Sequence, residues 1–145
     1  MKKKVLDTLK ALGFELKEVG IGYAFQFEGK NFLYTPDDRD EEFLSIALPM
    51  VAHADNENDI KFYQLLNMIN RILKYGKAVE INGDMWLFSE RKLFGDEDLK
   101  NVLQNMILHL DAVLDSLRNM KVSLEKVDGS DEKESVGSTD KENAA

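Results

Sequence analysis

The sequence contains no cysteine and only two prolines in 145 residues. The absence of cysteine excludes disulfide bonds, zinc sites built on thiolates and cysteine nucleophiles. It suits a reducing compartment, and we expect a cytoplasmic protein. Basic residues are also few: 19 lysines and arginines stand against 27 aspartates and glutamates, which gives a formal net charge of −8. Such a chain lacks the clustered basic surface that nucleic acids and anionic membranes bind, so we expect neither as a partner.

Long apolar runs are absent as well. The longest uncharged one covers residues 43–52, far short of the roughly 20 residues that span a bilayer. Three lysines at residues 2–4 could begin a signal peptide, but Asp7, Lys10 and Glu15 interrupt the apolar segment that would have to follow. The sequence therefore predicts a soluble protein without a membrane segment.

What the chain does have is the composition of one folded domain. Hydrophobic residues make up 43% of it, eight of them phenylalanine, and its length suits a single core. Residues 126–145 differ, because their only bulky apolar side chains are two valines. We therefore predict a single domain over residues 1–125 and a disordered acidic tail over residues 126–145. Serines in this tail are candidate phosphorylation sites: Ser130, Ser135 and Ser138.

The first half of the chain reads as a short helix and three strands. Apolar residues at helical spacing predict a helix over residues 5–12, which ends at Gly13. Residues 19–27 carry an apolar side chain at every second position, which predicts a strand. A turn then leads into a second strand at residues 32–35, and residues 43–48 form a third.

The second half reads as a helix, a hairpin and a long helix. The first of these helices has a broad apolar stripe: Phe62, Leu65, Leu66, Ile69, Ile72 and Leu73. Asn82-Gly83 predicts a tight turn between two strands, because both turn positions require positive φ. Along the last helix, apolar residues are spaced alternately by four and three: Leu99, Leu103, Met106, Leu110, Val113, Leu117 and Met120. We expect this seam to pack on the protein's own sheet, with a helix–helix dimer as the alternative.

Five carboxylates crowd residues 37–42, between two predicted strands. A calcium loop of the EF-hand type needs glycine at its sixth position. Counting from Asp38 places Phe43 there, and counting from Asp55 places Ile60. We therefore interpret the stretch as an acidic, solvated loop and predict no metal site.

No catalytic constellation is recognisable. His53 and Asp55 are too few for a metal site or an oriented base, and His109 flanks the apolar stripe of the last helix. The glycines of residues 20–22 lack the third glycine of a dinucleotide-binding loop, because Phe25 occupies its place. Neither a phosphate-binding P-loop nor a serine nucleophile elbow occurs in the sequence. We expect no catalytic residue and no cofactor, and hence a protein that is not an enzyme.

One predicted strand is apolar on both faces, because Met85 and Leu87 alternate with Trp86 and Phe88. A sheet covered by helices on one side needs only one apolar face. The second face is therefore covered either by the chain's own loops and last helix or by a partner or a second copy of the chain.

Aromatic side chains are the best candidates for contacts with a partner, since they contribute large areas at modest entropic cost. We select Tyr23, Trp86 and Phe88 as anchors of a partner-binding or dimer surface. A small-ligand site or an enzyme pocket is the competing interpretation. It would lie near Gly20, Gly22 and Ala24, whose small side chains leave room.

The order helix, three strands, helix, two strands, helix resembles the type III secretion chaperones and the related YbjN-type proteins. Local support comes from LLNMINR at residues 65–71, followed by YGKA at residues 75–78 and the hairpin at residues 79–88. This is similar to the YbjN-type arrangement of an asparagine-bearing helix, a Gly-Lys link and a hairpin. The resemblance implies an α+β fold with an antiparallel sheet. It also implies a small, acidic, non-enzymatic and often dimeric protein that holds another polypeptide, as a chaperone does, or acts in regulation.

Overall fold

The computed structural model describes the backbone of residues 1–134 and the side chains of residues 1–124. Its elements, in chain order, are α1 (Lys2–Ala11), β1 (Lys17–Val19), β2 (Gly22–Phe27), β3 (Lys30–Tyr34), β4 (Phe43–His53), α2 (Ile60–Ile72), β5 (Gly76–Ile81), β6 (Asp84–Lys92) and α3 (Leu99–Glu134). The predicted α+β order is confirmed. The structure differs at the first predicted strand, which it divides into β1 and β2.

The first predicted strand is in fact two strands joined by a turn. Val19 pairs with Gly22 across that turn, and Ile21 at its tip is 60% exposed. Gly22 is required there because a Cβ at this position would lie 2.0 Å from the carbonyl oxygen of Tyr34. The period-two pattern runs through the turn unchanged, so it could not reveal the break.

All six strands pair antiparallel in the order β1-β2-β3-β4-β6-β5. The predicted Asn82-Gly83 turn is confirmed, with φ of 52° and 86°, values that suit a two-residue hairpin. Near the centre of the sheet, β4 carries a bulge between Leu48 and Ala52. Within the bulge Met50 adopts a φ of 52°, which a residue with a side chain rarely does.

The helices pack on one face of the sheet, called here the helix face. Side chains from four strands are buried there: Phe25, Phe32, Tyr34, Leu44, Ile46, Leu48, Met85 and Leu87. The long helix contributes Leu103, Met106, Leu110, Val113 and Leu117 to the same core. The predicted packing of the α3 seam on the protein's own sheet is thus confirmed. On the same face Lys30 forms a mostly buried ion pair with Asp111 of α3.

An asparagine of α2 covers the edge of the sheet at β5. The Asn70 side-chain oxygen accepts a hydrogen bond of 2.8 Å from the Ala78 N–H. Its nitrogen donates one of 2.9 Å to the Ala78 carbonyl. The amide thereby takes the place that the backbone of a further strand would occupy, and it blocks one site of edge-to-edge pairing.

Helix α3 extends to Glu134, past the predicted domain boundary at residue 125. The remainder of the predicted tail, residues 135–145, lies outside the described residues, and its disorder stays a prediction. Of the helices described up to Glu134, none is long and apolar enough to cross a membrane.

Candidate functional site

The face of the sheet opposite the helices, the outer face, carries a second group of apolar side chains. In the strand register Leu33 lies opposite Ala47, and Ala47 lies opposite Phe88. In the next row Val79 lies opposite Trp86. These five residues form the outer apolar cluster, which crosses β3, β4, β6 and β5.

The outer apolar cluster is separate from the core. Leu33 is 5% exposed and Ala47 is 0% exposed, yet neither belongs to the core cluster on the helix face. Trp86 and Phe88 are only half-buried, and their rings stack with centroids 6.1 Å apart at an interplanar angle of 18°. The two rings therefore form a flat aromatic surface that is partly open to solvent.

Charged pairs border this aromatic surface. The Nζ atom of Lys77 lies 5.6 Å from the centre of the Phe88 ring and 2.9 Å from Oε1 of Glu90. Beyond Trp86, His53 Nδ1 and Asp84 Oδ1 share a hydrogen bond of 2.6 Å. The structure thus pairs His53 with Asp84 and not with its sequence neighbour Asp55. The ends of the cluster are polar, as the rim of an interface is.

Tyr23, the third predicted anchor, lies on the helix face. It pairs with Tyr34 in the strand register, and the two rings stack with centroids 6.3 Å apart. Burial raises the pKa of Tyr34 to about 12, so its phenol stays protonated. The Nζ atom of Lys2 lies 5.6 Å from the Tyr23 ring, and its hydrogen bond to Tyr23 raises the pKa of Lys2. The structure brings Trp86 and Phe88 together but places Tyr23 on the other side of the sheet.

The small residues near the start of β2 do not form a common pocket. Gly22 contacts the backbone of the neighbouring strand, whereas the Cβ position of Gly20 faces open space. Ala24 borders a cavity of about 440 Å³ whose lining includes Phe14 and Asn31 but neither of these glycines. Close packing of strands, and not space for a ligand, explains Gly22.

The acidic stretch is a loop between β3 and β4, as predicted. Its carboxylates satisfy local backbone donors: Asp37 accepts the Arg39 N–H at 2.9 Å, and Asp40 accepts the Glu42 N–H at 3.2 Å. Within the described residues there is no group of three or more side chains arranged to hold a metal ion.

Sequence reasoning missed the contribution of β3 and β4 to the outer face. A signal was available, because Leu33 stands between Phe32 and Tyr34 and makes β3 apolar on both faces, as β6 is. The cluster is therefore a property of four strands and not of the hairpin alone.

Comparisons with known proteins agree with the fold. No protein-family model matches the chain, and no curated protein matches it. YbjN from E. coli, a proposed transcription regulator, superimposes with a TM-score of 0.61 at 9% sequence identity, over 82% of this chain and 92% of that chain. The Yersinia pestis type III secretion chaperone SycH, solved in complex with a stable fragment of YscM2, gives a TM-score of 0.47 at 16% identity, over 86% of this chain and 99% of that chain. The chain therefore has a YbjN-like fold, as the order of its helices and strands predicted.

Proposed function

We propose that this protein is a non-enzymatic binding module that holds an extended segment of a partner polypeptide on the outer apolar cluster. The observation that carries the proposal is the stacked, partly exposed pair of Trp86 and Phe88 on a face that the core does not use. At protein interfaces a few residues contribute most of the binding energy, and tryptophan is enriched among them.

The spacing of the two rings suits an extended chain. A strand places alternate side chains on one face about 7 Å apart, close to the 6.1 Å between the centroids of Trp86 and Phe88. A partner segment running along β6 would set successive side chains of one face against these two rings. Val79, which lies opposite Trp86 and is partly exposed, would extend the contact.

The charge of the chain narrows the choice of partner. With a net charge of −8, the protein repels acidic polypeptides and attracts neutral or basic ones. Lys77 with Glu90, and His53 with Asp84, would border the bound segment and limit how it can be placed. We propose that this binding takes place in the cytoplasm, in a regulatory or chaperone-like role. YbjN, whose fold the chain shares, is itself a proposed regulator.

The test compares the wild-type chain with a variant carrying both Trp86→Ala and Phe88→Ala. A partner captured by the wild type is identified, purified and titrated directly against both proteins by calorimetry. We expect the double variant to bind about 10- to 100-fold more weakly, since two central aromatic contacts are lost. Tyr63→Ala is the matched control, because Tyr63 is an exposed aromatic residue on α2. Equal affinity of the double variant and the wild type would refute the proposal.

A second copy of the chain is the other occupant to test. Light scattering on the wild type and the double variant distinguishes a second copy of the chain from a different partner polypeptide. A dimeric mass that falls to the monomer in the double variant would make the outer apolar cluster a dimer interface. Tyr23→Ala is measured separately, because Tyr23 can anchor only a partner that reaches the helix face.

A further inference from the structure

A cavity of about 680 Å³ lies between the first turns of α3, the end of β6 and the link before β5. We call it the α3 groove. Its volume is within the range of small-molecule sites. Tyr75 and His109 line both the α3 groove and a second cavity of about 380 Å³, which continues along α3. The groove therefore offers a possible binding site apart from the proposed partner surface.

The charged side chains that line the groove already have partners of opposite sign. Arg91 pairs with Glu97 at 3.3 Å, and Glu90 pairs with Lys77 at 2.9 Å. Lys92 lies 3.7 Å from a carboxylate of the acidic loop. Two asparagines and a serine add uncharged polar groups to the lining. A charged ligand would lose its hydration without meeting an unpaired opposite charge, so the groove favours a neutral one.

His109 leaves one polar atom of the groove without a partner. Its Nε2 atom is buried and makes no hydrogen bond to any other described residue. Buried polar atoms nearly always have a partner, so this one requires a bound molecule or an ordered water. Nε2 donates in one tautomer of the neutral imidazole and accepts in the other. A hydroxyl both donates and accepts, so a hydroxyl on a ligand would satisfy this atom in either tautomer.

Two aromatic side chains on the lining of the groove are mostly exposed. Tyr75 is 76% exposed and Phe94 is 73% exposed, whereas aromatic residues in folded proteins usually cover more of their surface. The Tyr75 ring also lies edge-to-face with the imidazole of His109, with centroids 6.4 Å apart. A flat ring that packs on Tyr75 would cover this surface and carry its substituent close to the imidazole. The arrangement favours an aromatic ligand over an aliphatic one.

We propose that the α3 groove binds a small neutral phenol. The ring of the ligand packs against Tyr75 and Phe94, and its hydroxyl forms the missing hydrogen bond with His109 Nε2. The ion pairs of Arg91 and Glu90 stay intact beside the bound molecule. The site shares no residue with the outer apolar cluster, so it stands or falls independently of the proposed function.

The experiment titrates the full chain, labelled with ¹⁵N, with four probes: phenol, benzene, cyclohexanol and benzoate. Phenol should bind with a Kd of about 1 mM and shift the amide signals of Tyr75, Phe94 and His109. Benzene lacks the hydroxyl and cyclohexanol lacks the flat ring, so each should bind at least about fivefold more weakly. Benzoate should also bind more weakly than phenol, because the cations of the groove are already paired. Any of the three binding as tightly as phenol would overturn the assignment of a neutral phenol.

Variants assign the contacts. His109→Phe keeps a ring beside Tyr75 but removes Nε2, so phenol and benzene should bind this variant equally. His109→Gln keeps a group that donates and accepts, and the preference for phenol should remain. Tyr75→Ala should weaken binding of phenol by about fivefold. Tyr63→Ala is the matched control, because it replaces an exposed tyrosine on α2 that does not line the groove, and it should bind as the wild type does.

The outcomes that would overturn the proposal are distinct. If water alone satisfies His109 Nε2, phenol will show no binding up to ~10 mM. Shifts that map outside the groove, or a preference for phenol over benzene that survives in His109→Phe, would contradict the proposed contacts. A well-dispersed spectrum of each variant establishes that it is folded before affinities are compared. Should His109→Phe fail to fold, the comparison of phenol with benzene on the wild-type chain decides.

Discussion

The contact between Asn70 and the edge strand β5 leads to a quantitative prediction for Asn70→Ala. The substitution removes both hydrogen bonds to Ala78, of 2.8 and 2.9 Å. Each such bond contributes about 1 kcal/mol net, so their loss costs about 2 kcal/mol. Alanine is the better helix former and offsets about 0.5 kcal/mol of this loss. The variant should therefore lose about 1.5 kcal/mol of unfolding free energy, which lowers Tm by about 5 °C in a chain of this size.

Asn67→Ala is the matched control. Asn67 lies on the same helix, and its side chain makes no hydrogen bond to another described residue, so alanine there brings the gain in helix propensity alone. Urea unfolding followed by circular dichroism should separate the two variants by about 2 kcal/mol. Asn70→Asp should fall between them, because a carboxylate can accept from the Ala78 N–H but cannot donate to its carbonyl. Coincident unfolding midpoints for the Asn67 and Asn70 alanine variants would refute this reasoning.

Three further predictions concern stability. Gly22→Ala should lower the unfolding free energy measured in urea by more than about 3 kcal/mol, because its Cβ would meet the backbone of the adjacent strand. Gly20→Ala should leave the unfolding free energy within about 0.5 kcal/mol of the wild type. Similar losses for both variants would contradict this account. The backbone N–H groups of Asp55 and Phe62 hold the pKa of Asp59 below its usual value. The stability that this carboxylate contributes is therefore present above its unfolded pKa of about 4 and is lost as the pH falls further. Asp59→Asn should accordingly show a shallower loss of stability in acid titration, and an unchanged slope would exclude this contribution. A double-mutant cycle of Lys30→Met and Asp111→Leu should give a coupling of about 1 kcal/mol, since the pair is mostly buried; additive effects would show that the pair contributes nothing.

Short sequence patterns correctly predicted the features that depend on neighbouring residues alone, such as a turn, a buried helix stripe and a loop. Asn82-Gly83 specifies its hairpin because both residues must adopt positive φ, and the structure shows that they do. The four-and-three spacing along α3 predicted the buried seam, which contributes to the core from Leu103 to Leu117. The acidic residues 37–42 were assigned to a loop from the lack of any ligand spacing, and they form that loop.

Features that depend on how distant strands are aligned were not predictable from the pattern. Tyr23 and Trp86 each lie on a strand whose side chains alternate between the two faces of the sheet. Whether the two residues lie on the same face is set by the strand register through β3 and β4. Asn67 and Asn70 are both asparagines of the same predicted helix. Only the position of Ala78 on β5 decides which of them binds the sheet edge. The groove beside His109 likewise requires the tertiary arrangement of α3, β6 and the link before β5.

The chain has a single tryptophan, and it lies on the outer face rather than in the core. Its fluorescence therefore reports selectively on the environment of one side of the sheet, whereas far-ultraviolet circular dichroism follows mainly the helices on the other side. When both signals are recorded in the same urea series, coincident curves would mean that the two sides of the sheet melt as one cooperative unit. A shift of the emission without a change in ellipticity would instead show an event confined to the face that carries the indole.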